Sequence, residues 1–233
     1  MQKPEKGGMI NKKEVSGMFE GFCPETVDFL WGIRMNNNRE WFMEHKKEYV
    51  KTLYEPMKAL GQELFQPFMD RPGNILKVSR IYRDARLHHP LPYKESLWIS
   101  SRQDIEWWAE NPCLYFEITP DGISYGFVVW KPRTATLKQL RQDWASRPRE
   151  FLELIRSTEE ATGVPISAQL YKRPPQEAPI PELERFYAWK GCISCEVEEP
   201  FSEETFGPQL AQRVGDFIQK LMPLYEYFNQ FKV

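Results

Sequence analysis

Long apolar runs, an excess of charge of either sign and a cysteine framework are all missing from this sequence. No stretch approaches the ~18 to 20 apolar residues that span a bilayer, so no membrane-crossing helix is expected. Lys and Arg total 31 against 33 Asp and Glu, a formal net charge of -2. Binding nucleic acid through bulk electrostatics relies on many uncompensated cations against phosphates, so that mode is disfavoured and only a local basic patch stays open. The four cysteines, Cys23, Cys113, Cys192 and Cys195, are scattered, and the N-terminus carries no apolar stretch of signal-peptide type. The expectation is a reduced, cytoplasmic protein without disulfide staples. No P-loop, dinucleotide fingerprint, nucleophile elbow or paired-histidine zinc helix is present, which removes the commonest nucleotide and hydrolase chemistries.

What the chain does have is length and rings. Its 233 residues can bury a substantial core, and 8 Trp, 10 Tyr and 15 Phe supply much of the area. Tryptophan is rarely swallowed whole, so some of these rings should line grooves. Residues 1–17 are polar, with almost nothing to bury, and read as a disordered tail; a single α+β domain is expected over residues 18–233.

Helical periodicity begins at Pro24, with Val27, Leu30, Trp31 and Arg34 on neighbouring rows. Asn36-Asn37-Asn38 stops that helix, and Asn37 as N-cap would open the next with Glu40 in its first turn. Phe42, His45, Tyr49, Leu53, Met57, Leu60, Leu64 and Phe68 then recur at helical steps, with a kink or two abutting helices expected at Pro56. After the Arg71–Asn74 turn the period changes. Leu76 and Val78, then Leu97 to Ile99, read as strands, and Thr119-Pro120-Asp121-Gly122 joins two more as a tight hairpin. The middle of the chain is thus an antiparallel meander of about four strands. Helices return around Leu137 to Trp144 and from Pro148 to Gly163, followed by an extended piece at Ile166–Tyr171 and a strand at Ile193–Val197. A last amphipathic helix, opened by Ser202, carries Leu210, Val214, Phe217, Leu221, Leu224 and Phe228. The fold class is α+β, with a central antiparallel β meander packed against N-terminal and C-terminal helices.

One stretch concentrates chemistry: Arg80-Ile-Tyr-Arg-Asp-Ala-Arg-Leu-His-His-Pro-Leu-Pro-Tyr-Lys94. Either an extended or a helical backbone would set Asp84 between guanidinium groups and hold it ionised. Arginine forks can grip phosphate or carboxylate, so the stretch reads as an anion site; it reads equally as a structural ion network tying strand to helices.

Several stretches together resemble a widespread, uncharacterised bacterial family of domains of unknown function. Its hallmark is R-x-x-R-D-x-R-F followed by an acid or amide, a lysine and a tyrosine. Arg80, Arg83, Asp84 and Arg86 match it, and Pro92-Tyr93-Lys94 matches the end of the stretch. The family's Asn-Asn-Arg-x-Trp-Phe is similar to Asn37–Phe42, and Gly126, Trp130, Pro132, Lys172–Pro175 and Lys190 match further positions. The resemblance runs from about Phe19 to the last helix and implies a single domain; it implies no activity. Leu87 stands where the family has phenylalanine, and His88-His89-Pro90-Leu91 stands where it has its acid-lysine pair.

The working expectation is a cationic, aromatic-lined pocket for a small anionic or phosphorylated ligand. Arg80, Arg83, Arg86, Tyr93 and Lys94 would form it, with Arg39, Lys172, Arg173 and Lys190 converging on the same hollow. If the protein is an enzyme, Asp84 serves as general base and His88 or His89 as a second proton carrier. The competing class is a non-catalytic module that binds protein or nucleic acid, with the Arg/Asp cluster structural. No cofactor and no metal are expected: His88 and His89 are adjacent, and Cys192 and Cys195 lie three apart on a strand and point to opposite faces.

Overall fold

The computed structural model describes residues 17–84 and 90–231; the expected disordered tail falls outside it up to Ser16. The fold is α+β. Among the described residues, eight α-helices are interleaved with six strands: α1 (Pro24–Met35), α2 (Arg39–Glu48), α3 (Glu55–Met69), β1 (Asn74–Val78), β2 (Leu97–Gln103), β3 (Cys113–Thr119), β4 (Gly122–Val129), α4 (Thr134–Ser146), α5 (Pro148–Thr162), β5 (Ser167–Leu170), α6 (Glu184–Tyr187), β6 (Trp189–Glu199), α7 (Gln209–Lys220) and α8 (Met222–Asn229). The strands form one antiparallel sheet in the order β1-β2-β3-β4-β6-β5, so the expected four-strand meander is its first part.

No helix among the described residues is long and apolar enough to cross a membrane. The chain divides into two compact units. The first takes the chain through Ser101, Tyr115–Tyr125 and Glu198–Gly215; the second takes Arg102–Leu114, Gly126–Val197 and the chain from Asp216.

In the first unit the N-cap of α2 is Asn38, whose side chain accepts from the Trp41 amide, and not Asn37. Both asparagines are equally competent caps, so sequence could not separate them; Asn37 has a different partner, described below. The long apolar stripe is one continuous helical path, with a π-helical segment at Tyr49–Tyr54 between α2 and α3. Pro56 then sits in the first turn of α3, directly after the π-helical segment, so the expected interruption is a change of helical hydrogen bonding within a continuous path. Phe42, Leu53, Met57, Leu60, Leu64 and Phe68 are all buried. Gly61 brings α3 close to Leu76 and Ile99, 3.3 Å from a side-chain carbon of each at the point where a Cβ would stand. The β3–β4 turn is closed by Thr119 Oγ, which accepts from the Asp121 amide and donates to the Gly122 carbonyl. Gly122 has φ 155, and a Cβ there would run into the Glu199 carbonyl.

In the second unit an aromatic cluster forms the core. Trp144 of α4 stacks on Phe151 of α5 with centroids 4.7 Å apart, and Phe186 meets Phe151 and Trp189 edge to face. Gly163, in the left-handed region at φ 71, ends α5 as its sequence position predicts. The β5–β6 pairing is irregular. From Ser167 to Gln169 β5 advances two residues while β6 advances three, from Gly191 to Ser194. The extra residue is accommodated at Cys192, which takes φ 42, so the simple alternation expected across Cys192–Cys195 does not hold there.

The final segment departs from expectation. Ser202 caps only a 3₁₀ turn, Glu203–Phe206, in a box with Thr205. Pro208 precedes α7, and the apolar stripe is broken again at Leu221, because Pro223 can occupy only the first turn of α8.

Candidate functional site

The two ends of the Arg80–Lys94 stretch are pinned together in the first unit. The Lys94 amide donates to the Ile81 carbonyl at 2.7 Å and the Arg83 amide to the Pro92 carbonyl at 2.9 Å, with Tyr82 and Tyr93 in an isolated antiparallel bridge. Asn37 then clamps this closure from 56 residues away: its side chain accepts from the Tyr93 amide and donates to the Tyr93 carbonyl, both at 3.0 Å. The same carbonyl accepts from Arg83 Nε at 2.6 Å. One side-chain amide meeting both backbone groups of a residue imitates a strand neighbour, which fixes Tyr93 without extending the sheet.

Rings line this closure. Phe42 stacks on Tyr93 at 4.3 Å, Tyr82 lies 5.6 Å from Phe42 and 5.4 Å from Tyr93, and Tyr82 is half exposed. The cations come next. Lys94 Nζ lies 5.6 Å from the Trp98 ring centroid. Burial holds the Lys94 ammonium below its ordinary range; Glu117 opposes the shift, and the like charges of Arg80 and Arg83 add to it. Burial also raises the Tyr93 phenol, with Tyr82 adding to the shift and Arg39 opposing it.

The carboxylates facing this cluster are largely committed. Glu95 lies 2.9 Å from Arg34 Nε and only 3.8 Å from Arg83 Nη2, and Glu117 accepts from Ser96 Oγ at 2.6 Å. Arg34 is also forked onto Asp121 at 2.7 and 3.0 Å, which holds the Asp121 carboxyl below its ordinary range. Arg80 is exposed and makes no ion pair among the described residues.

Of the residues expected from sequence, Arg39, Arg80, Arg83, Asp84, Tyr93 and Lys94 belong to the first unit, and Asp84 is exposed. Arg86, His88 and His89 lie outside the described residues. Lys172, Arg173 and Lys190 belong to the second unit, all exposed, with Lys190 Nζ 6.0 Å from the Tyr171 ring centroid. Sequence reasoning missed Asn37, Glu95 and Glu117. Asn37 was visible as a cap and as the start of a family stretch, neither of which points to Tyr93, and the two glutamates have no spacing that distinguishes them from any solvated acid. Cys23, Cys113, Cys192 and Cys195 are free, and among the described residues no group of three His, Cys, Asp or Glu side chains could hold a metal.

A family model described as Conserved hypothetical protein (DUF2461) matches residues 25–227, nearly the whole chain, and the protein belongs to that family. No curated protein matches it.

Proposed function

We propose that the Arg80–Lys94 stretch forms one wall of a site for a small anionic or phosphorylated ligand, in a protein that works in the cytoplasm. The observation that carries the reading is the surplus of positive charge on one pinned closure. Arg80 and Arg83 both act on Lys94 against Glu117, while Glu117 also accepts from Ser96 and Glu95 is shared between Arg34 and Arg83. Holding like charges together is unfavourable, and an oxyanion relieves it while using the planar donors of Arg80 and Arg83. Tyr82, Tyr93 and Trp98 supply ring faces and one exposed hydroxyl beside those donors. Should the bound ligand be a substrate, Asp84 is the general base, and His88 or His89 is the second proton carrier.

Thermal unfolding with inorganic phosphate, against chloride at equal ionic strength, tests this. A ligand at 100 times its Kd adds about 2.7 kcal/mol to the native state. Phosphate should raise the midpoint, and Lys94→Met or Arg80→Gln should each reduce the rise. Equal rises with chloride, or a rise untouched by both variants, would exclude the site.

A further inference from the structure

Within the second unit, Arg141 of α4 is 4% exposed, yet no carboxylate pairs with it among the described residues. Its Nη2 donates to the Trp189 carbonyl at 2.6 Å and its Nε to the Tyr187 carbonyl at 3.3 Å, while its Nη1 donates to no atom among the described residues. The guanidinium carbon lies 5.9 Å from the Tyr171 ring centroid, and Lys190 Nζ reaches the same ring from β6 at 6.0 Å. The strand register brings the Tyr171 and Lys190 backbones near each other. Leu170 pairs with Trp189, and the Tyr171 amide donates to the Ala188 carbonyl at 2.8 Å, so Tyr171 and Lys172 run beside the strand that begins at Trp189-Lys190.

Buried Arg102 of the same unit likewise bonds a backbone carbonyl, that of Gln103, but four other arginines are handled differently. Arg133, Arg147, Arg156 and Arg185 are each matched by a carboxylate: Glu110, Asp143, Glu153 and Glu159. Lys172, Arg173 and Lys190 have no such match among the described residues. Glu177 and Glu184 line a neighbouring hollow of about 630 Å³ with Tyr187, and neither pairs with any of these cations. A buried guanidinium without a carboxylate partner, with an exposed ammonium on the same phenol ring, is an arrangement that an anion would stabilise.

We propose that Arg141, Tyr171, Lys190 and the Lys172–Arg173 pair form a phosphate-binding site of the second unit. Arg141 supplies the fixed donor, oriented by the two carbonyls it holds; Tyr171 supplies a hydroxyl; the three exposed cations supply the charge that a dianion needs and a monoanion does not. The site uses no residue of the Arg80–Lys94 stretch and does not rest on that reading.

The test is a titration of the full chain with inorganic phosphate at constant ionic strength, followed by amide chemical shifts, with acetate and chloride as comparisons. The amides of Tyr171, Lys172, Arg173 and Lys190 should shift together and saturate with phosphate. Lys172→Ala combined with Lys190→Ala, both exposed positions that should leave the spectrum folded, should weaken the binding about tenfold, at about threefold for each surface charge. Tyr171→Phe should weaken it about threefold. Arg80→Gln should leave these shifts as they are, whether or not phosphate binds at Arg80. Non-saturating shifts, the same shifts with chloride or acetate, an unchanged affinity in the double variant, or loss of the Tyr171 shifts in Arg80→Gln would each overturn the proposal.

Discussion

The two units hold their less exposed arginines by different means. In the first, charge is set against charge. Arg34 is forked onto Asp121 and bonded to Glu95, and Arg213 lies 3.0 Å from Glu204, bonds Glu199, and donates to the Tyr125 hydroxyl at 2.9 Å. In the second, the buried groups are tied to the backbone or sealed by rings. Arg141 rests on two carbonyls, the Cys195 thiol is fully buried near the Val164 carbonyl, and Tyr187 donates from its hydroxyl to the Arg141 carbonyl at 2.9 Å. Ion pairs respond to salt, whereas neutral groups held in apolar surroundings respond to the pH at which they would ionise. Stability should therefore fall for different reasons in the two halves.

The sharpest way to break the contrast is Arg141→Ala. It strands the Tyr187 and Trp189 carbonyls and empties a buried volume, so a loss of about 3 kcal/mol is expected in urea unfolding. A loss below about 1 kcal/mol would mean that the guanidinium does not hold α4 against β6.

Alkaline titration comes next. Burial pushes the Cys195 thiol up to about 11 from an ordinary value of 9.0, with Thr162 opposing and Glu159 and Glu196 adding. At lower pH both folded and unfolded thiols are protonated and the full stability is present. As pH rises from 9 toward 11 the unfolded chain ionises first, so up to about 2 to 3 kcal/mol is lost. Tyr187 and Tyr227 are raised by burial too, Tyr227 also by Asp143, and add their losses at higher pH. In Cys195→Ala the part of the decline that begins near pH 9 should shrink to what Cys192, also raised by burial, contributes; an unchanged profile would count against the sealed thiol.

In the first unit, Arg213→Ala should cost about 1 kcal/mol, and the cost should shrink as salt rises, since the pairs with Glu199 and Glu204 are partly exposed. A salt-independent cost would undo the contrast from the other side. The smallest effect is a gain: Lys94→Met removes a half-buried ammonium beside Arg80 and Arg83, and about 0.5 kcal/mol of added stability is expected at neutral pH after allowance for solvent screening. Because the Lys94 pKa is depressed, its penalty is present at neutral pH and is relieved as pH rises toward 10.5, so the gain should fade over that range.

Local signals carried much of the architecture. Thr119-Pro120-Asp121-Gly122 closes a hairpin because glycine reaches a positive φ and a threonine hydroxyl ties the turn, both short-range facts. Gly163 stops α5 for the same kind of reason. Where two residues offered the same local chemistry, the sequence could not choose. Asn37 and Asn38 are both caps in isolation, and Tyr93, distant in sequence, decided between them. Prolines were legible as breaks at Pro56 but not at Pro223, since Leu221 and Leu224 keep the helical stripe in register across the interruption. The candidate site was legible as an unusual density of arginine within Arg80–Lys94, and its partners Glu95, Glu117 and Asn37 were not.

The sequence by itself determined the class of fold, the order of its elements and the stretch in which cationic and aromatic chemistry is concentrated, because periodicity, turn residues and composition act over a few neighbouring residues. Tertiary structure alone decided which charges are matched. Whether a carboxylate, a carbonyl or another cation faces Arg34, Arg141 or Lys94 depends on residues as far as 87 positions away, and no local pattern encodes that pairing.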